Sequence, residues 1–378
     1  DVERSRGLGD VYKRQEYGGT GTLLVKVTKE TGTGAVRFQW YQVEDGTATA
    51  VGSATTSYQF DLSAQKLPAG QHTFRFSATC DGYEKMSQDI VVTVQKANIR
   101  SGLITPPTAQ ENLTYTGQEQ ALITAGSVTT YGTMQYSLTE NGTYSPDIPT
   151  GTDAGEYTVW YRVIGDENHN DTIPASVAVS IGQKPLTITG VTAASKPYDG
   201  TTDADIPSVT FEGSVTLQKD KDYTVTARFD DASAGNGKNI TATVTLMGQA
   251  AKNYALEQSS FTTTGSIAKT AAPDFTKETA LVIVNGHEKT YTVTLPALPK
   301  LETPKEYGAL TYEISEIKLD GRYYTGGAKV ENGKLTLPIQ KNDVETTGSV
   351  GTVTVVIKSA NYEDITLTVL SLIHISEP

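Results

Sequence analysis

One cysteine in 378 residues, Cys80, excludes any intrachain disulfide and any cysteine-rich metal cluster. The four histidines, His72, His169, His287 and His374, stand singly, each more than eighty residues from the next, so no pair at helical spacing exists to grip a metal. Basic residues are outnumbered, 31 against 43, for a net charge of −12, which removes nucleic acid and anionic lipid as default partners. No apolar run approaches the roughly 20 residues that span a bilayer as a helix. Nucleophile elbow, zinc-protease helix, P-loop and dinucleotide fingerprint are all missing. The expectation is a chain without enzymatic activity, with no catalytic residue, no cofactor and no metal site.

What the chain does have is Thr, Tyr and Gly, at 57, 20 and 35 residues. That composition reads as all-β. A pattern recurs four times: a Gly, an alternating strand, a short polar loop, then a second strand. It begins at Gly70, Gly155, Gly235 and Gly351, spacings of 85, 80 and 116 residues that match one small sandwich each. Phe74, Phe76 and Ala78 share one face of the first such strand; Ile240, Ala242, Val244 and Leu246 do so in the third, and Val353, Val355 and Ile357 in the fourth. Polar or β-branched residues fill the alternate positions, as on a solvated sheet face. The second strand is apolar on both faces, with Tyr157, Val159, Tyr161 and Val163 alternating with Trp160 and Ile164, and is expected to be covered on both sides or to border a neighbour, as a candidate contact surface. Asn141-Gly142, Asn285-Gly286 and Asn332-Gly333 are tight-turn signals. Capped helical stripes are nearly absent.

Boundaries fall at short polar or Pro-containing joints: Lys96 to Asn98, Gln183 to Pro185, and Lys269 to Pro273. The reading is tandem immunoglobulin-like β-sandwich domains in an extended array, over 16–97, 98–183, 184–270 and 271–370. "DVYKRQ" (Asp10 to Gln15) and "SLIHISEP" (Ser371 to Pro378) read as translated adaptor sequence. Residues 1–15 and 371–378 are accordingly set aside as a non-native leader and tail.

The third repeat carries "KPYDGTT" from Lys196, "FEGSV", "KDKDYTVTARFDDASAGNGKNITATV", "LMGQAAKNYAL" and "TTTGSIAK" in order. This resembles the YDG/MBG family of bacterial extracellular immunoglobulin-like repeats. The second repeat, with "LTYTG" at Leu113 and "DAGEYTVWYRV" at Asp153, is similar to related Tyr-Thr-Gly repeats of Gram-positive surface proteins. The first looks like a generic immunoglobulin-type unit with Trp40 at the core position, and the fourth matches only through "ANYEDITLTV". The resemblance implies a non-enzymatic part of a cell-surface or secreted adhesin-like protein, monomeric, located at the cell surface or cell wall. Its modules would act as stalk and adhesive display, with glycans or proteins of a host or wall as partners reached through regions outside this chain. The competing reading is an accessory carbohydrate-binding array of a larger secreted enzyme, with exposed Trp160, Tyr41, Tyr323 and Tyr324 stacking on sugar rings.

Each remaining constellation has a plainer reading. Asp220 and Asp222, and Asp230 and Asp231, are acidic clusters, but Lys219, Lys221 and Lys238 sit among them and calcium-loop spacing is missing, so solvated turns are expected. Tyr198-Asp199-Gly200 reads as a strand-to-turn corner: Tyr198 packs, Asp199 caps and Gly200 takes a left-handed φ. Tyr83, Tyr254 and Tyr362 read as corner residues between paired strands. Lys196 or Lys184 with Asn253 is the pair to examine for a Lys–Asn isopeptide link, which would need a buried Lys and acid. The N-x-[ST] sites at Asn112, Asn141, Asn170 and Asn239 are read as incidental in a bacterial protein.

Overall fold

The computed structural model describes residues 13–25, 34–81, 86–275, 279–284, 289–339 and 348–374. Four apolar cores organise these residues, the last two meeting at Ala272, Tyr307 and Tyr362. The chain divides into two compact units, Asp1–Lys184 and Pro185–Pro378, each holding two of the cores.

In the first unit, the leading sandwich has a five-stranded sheet in the order Lys13–Glu16, Met86–Gln95, Gly70–Thr79, Arg37–Glu44, Thr47–Thr55. The pair Thr22–Leu24 and Gln59–Asp61 belongs to the opposing layer. Period-two alternation sends Phe74 and Phe76 inward, at 0 % and 1 % exposure, each contributing about 1.5–3 kcal/mol of burial. Trp40 is the core tryptophan and stacks on Phe60 at 4.9 Å. Across the same sheet, Arg75 and Asp89 pair through two hydrogen bonds. The guanidinium holds the Asp89 carboxyl below the usual carboxylate range. The second sandwich is built on Gly132–Ser137, Gly155–Gly165 and Ala175–Ile181, with short two-stranded ladders around Leu122 and Ile123. Val159 and Val163 point into this core. On the reverse face of the same strand Trp160, Arg162 and Ile164 are half-buried, and Arg162 lies over the Tyr144 ring at 4.4 Å.

The second unit repeats the design. Its first sheet runs Lys196–Pro197, Ser260–Ala268, Gly235–Leu246, Tyr223–Phe229, faced by Ile188–Thr192 paired with Ser208–Phe211. The last sandwich packs Thr279–Val284, Ile365–His374, Gly348–Ser359 and Leu310–Leu319 against Lys289–Thr294, Lys334–Ile339 and Lys329–Glu331. Among the described residues the one short α-helix, Gly248–Asn253, fills a strand-to-strand loop.

A common entry device appears in all four sandwiches. An early segment lies parallel beside the sandwich's own last strand: Lys13–Glu16 on Met86–Gln95, Thr114 on Gly182, Lys196–Pro197 on Ser260–Ala268, and Thr279–Val284 on Ile365–His374. Parts of the stretches set aside as leader and tail, Lys13–Gln15 and Ser371–His374, lie within these strands. Tight hairpins close where the backbone turns left-handed. Asn332 and Gly333 (φ 50° and 73°) join Glu331 to Lys334, and Asp45 and Gly46 (φ 45° and 79°), a signal the turn reading had missed, join Glu44 to Thr47. Asn285-Gly286 lies outside the described residues, and Asn141-Gly142 sits in a wider excursion between the bridged Tyr136 and Ser145.

Candidate functional site

Most candidates from the sequence can be placed, and the structure gathers few of them. Among the described residues no three His, Cys, Asp or Glu side chains converge as metal ligands. Asp231 is paired with Lys238 at 2.5 Å and caps Ser233, so its carboxyl is held below the usual range first by the lysine. Asp222 accepts the Gln218 N–H, and Lys219 turns away to Asp205 and the Ile206 carbonyl. These acids are occupied by turns and by lysines. His72 bonds the Pro68 carbonyl, His169 is buried, and His287 lies outside the described residues, as does Tyr83.

The sugar-stacking residues correct the sequence reading. Trp160, Tyr41, Tyr323 and Tyr324 are half-buried instead of exposed. Tyr323 and Tyr324 pack on the last core, where the Tyr324 hydroxyl accepts the Ala328 N–H at 2.9 Å. Their apolar faces are used by packing, because a two-layer sandwich needs large rings to fill its ends. A hollow of about 540 Å³ opens in the last sandwich beside Leu295, Pro299, Leu301, Tyr307 and Leu310. Its charged neighbours are Lys300, Lys305 and Glu306, without a nucleophile or a facing carboxylate pair.

The Lys–Asn pair is not assembled around Lys196. Its ammonium donates to Asp199 Oδ1 at 2.8 Å, the Thr201 carbonyl at 2.9 Å and Thr201 Oγ1 at 2.8 Å, which occupies all three hydrogens. Lys184 is exposed. Asp199 Oδ1 also caps the Thr201 N–H, and Gly200 has φ 83°, so the Tyr-Asp-Gly corner is built as its residues foretold.

What the corner reading missed is the direction in which Tyr198 points. Its hydroxyl accepts the backbone N–H of Glu306 at 2.9 Å, in the sandwich that follows. Its ring meets Tyr362 edge to face, with centroids 5.5 Å apart, and Tyr362 in turn meets Tyr307 at 5.2 Å. Tyr362, one of the residues read as a strand-pair corner, is the middle ring of this seam; its 3 % exposure raises its hydroxyl pKa by desolvation. No signal within one repeat could have exposed this, because the partners Glu306 and Tyr362 belong to the next sandwich along the chain.

The YDG domain family matches residues 182–263, the third sandwich. No curated protein matches the chain. Among solved structures, the human desmocollin-1 ectodomain aligns over 98 % of this chain and 81 % of its own at 11 % identity and a TM-score of 0.24. The insect immune protein hemolin covers 98 % and 100 %, at 11 % identity and 0.24. The fibronectin(III)-like modules of Clostridium thermocellum CbhA cover 46 % and 91 %, at 14 % and 0.20. The chain is a run of β-sandwiches whose third member is similar to YDG domains.

Proposed function

We propose that this chain is a non-catalytic spacer of a bacterial cell-surface or secreted protein, in which β-sandwich modules carry and display a binding region located elsewhere. The observation that carries the reading is the seam: within a unit, successive sandwiches are joined by hydrogen bonds and interlocked rings instead of a loose linker. A spacer needs stiffness and self-contained cores, and the four clusters supply the second. A cysteine-poor acidic chain keeps such a module soluble and indifferent to redox conditions.

Two measurements on the intact chain test this. Pulled from its ends, it should unfold in separate steps, each releasing roughly 30 nm of contour for a module of about 85 residues. Titration with soluble wall and plant glycans should give no dissociation constant below about 1 mM. A single cooperative rupture would sink the spacer. Tight glycan binding lost in Trp160→Ala would replace it with the accessory carbohydrate-binding reading.

A further inference from the structure

The two seams described by the structure lie in different pairs of sandwiches, yet they share one set of asparagine and backbone hydrogen bonds. In the first unit the loop after the Gly155–Gly165 strand meets the preceding sandwich; in the second unit the loop after Gly348–Ser359 does so. The Asn168 side-chain oxygen accepts the Ala69 N–H at 2.8 Å, and that of Asn361 accepts the Ala234 N–H at 3.0 Å. Ala69 and Ala234 each immediately precede the glycine that opens the repeated strand. The Asn168 carbonyl accepts the Ala97 N–H, and the Asn361 carbonyl that of Thr270, at 2.9 and 3.3 Å. Two residues on, Asn170 N–H returns to the Ala97 carbonyl and Glu363 N–H to that of Thr270, both at 2.9 Å. Lys96 and Lys269, each one residue before that joint, send their ammonium groups to the Asp166 and Ser359 carbonyls at 3.1 and 2.7 Å.

The rings follow the same plan. His169, 5 % exposed, stands where Tyr362 stands. It meets Tyr17 of the preceding sandwich at 5.3 Å and 78°, as Tyr362 meets Tyr198 at 5.5 Å and 74°. On its other side lies Tyr131, where the second seam has Tyr307, and each of these tyrosines is followed by glycine. Tyr17-Gly18-Gly19 and Tyr198-Asp199-Gly200 open their sandwiches with the same register: the Tyr17 N–H bonds the Gln95 carbonyl and the Tyr198 N–H that of Ala268, at the end of the last strand. At Gly200 an added Cβ would stand 3.0 Å from the backbone of Pro304 and Lys305, so the glycine lets the next sandwich approach.

We propose that the Tyr-x-Gly corner is a docking patch for the sandwich that follows it in the chain, and that Asn168 and Asn361 are the pins that lock each pair. The asparagine is suited to this because its side-chain oxygen saturates a strand-edge N–H while its backbone pairs with the joint, so one residue fixes both position and rotation. The aromatic residue behind it excludes water from those bonds and strengthens them. The motif that gives the YDG domain its name then specifies connection between modules as well as a turn within one. This deepens the spacer reading and rests on it.

The test uses the whole chain carrying Cys80→Ser and spin labels on exposed positions, Thr49 with Thr143 across the first seam and Thr226 with Thr311 across the second. The parent should give narrow distance distributions. Asn168→Ala should broaden the first at least about two-fold, toward the relative motion expected of modules without a fixed interface. Asn168→Asp, which keeps the accepting oxygen, should restore it. Tyr198→Phe removes one oxygen and keeps the ring, and should broaden the second distribution while hydrogen exchange in both flanking sandwiches stays unchanged. If Asn168→Ala unfolds the second sandwich, Tyr198→Phe decides alone. Distributions as narrow as the parent's, or an Asp variant as broad as the Ala variant, would overturn the pin. The force and glycan measurements above do not depend on that outcome, so a failed pin and a failed spacer are distinguishable.

Discussion

Phe74→Ala is the sharpest probe of whether the sandwiches hold themselves together. Phe74 is fully buried in the first core, and Phe60 lies 5.4 Å from its ring, with Phe60 in turn stacked on Trp40. Removing a buried phenylalanine costs about 3–5 kcal/mol, the transfer of the ring plus the cavity it leaves. A sandwich of about 80 residues has roughly 4–12 kcal/mol in total, so the change takes about a quarter or more of it. With a urea slope of about 1 kcal/mol per molar, the midpoint should fall by at least about 3 M. Trp40 fluorescence in a Trp160→Phe background reports this transition alone. Hydrogen exchange should show the third and fourth cores, which share no residue with the first, unchanged. The second sandwich should lose only the seam's share, on the order of 1 kcal/mol per hydrogen bond forfeited. Equal loss of protection in all four cores, or no shift in the Trp40 transition, would refute the idea of separately closed cores.

Two further outcomes follow from local geometry. Gly351→Ala should destabilise the last sandwich severely, because its φ of 136° is strained for any side chain and the new Cβ would overlap the Lys318 carbonyl oxygen. The backbone strain alone costs about 1–3 kcal/mol, and calorimetry should show the last transition lowered or missing; an unchanged transition would contradict the close approach of these strands. In acid, the Arg75–Asp89 and His169–Asp166 pairs set the direction of change. Both carboxyls are held below the ordinary value by their hydrogen-bonded partners, so their contribution is fully present above about pH 4 and is lost as pH falls through the depressed values. Arg75→Gln should flatten that acid limb for the first sandwich, and an unaltered limb would remove the pair from the account.

Most of the fold was legible because period-two alternation is a local property. Phe74 with Phe76, Ile240 with Val244, and Val353 with Val355 announce their inward faces without reference to any partner, and the structure buries them all. Asn332-Gly333 likewise needed only the φ values its own residues favour. The aromatic platform failed for the opposite reason: Tyr323 and Tyr324 look available in sequence, and only the layer opposite them consumes their faces.

Four alternating-strand repeats, the lack of reactive or metal-gathering motifs, and the conformation of the Tyr198-Asp199-Gly200 corner can all be read along the chain, since each depends on residues within a few positions. What that corner faces is set by long-range packing. Tyr198 and Glu306, or Ala69 and Asn168, lie about a hundred residues apart. No local pattern encodes such a distance; two separately closed cores must first exist before their ends can meet and an asparagine can saturate a strand edge on its neighbour.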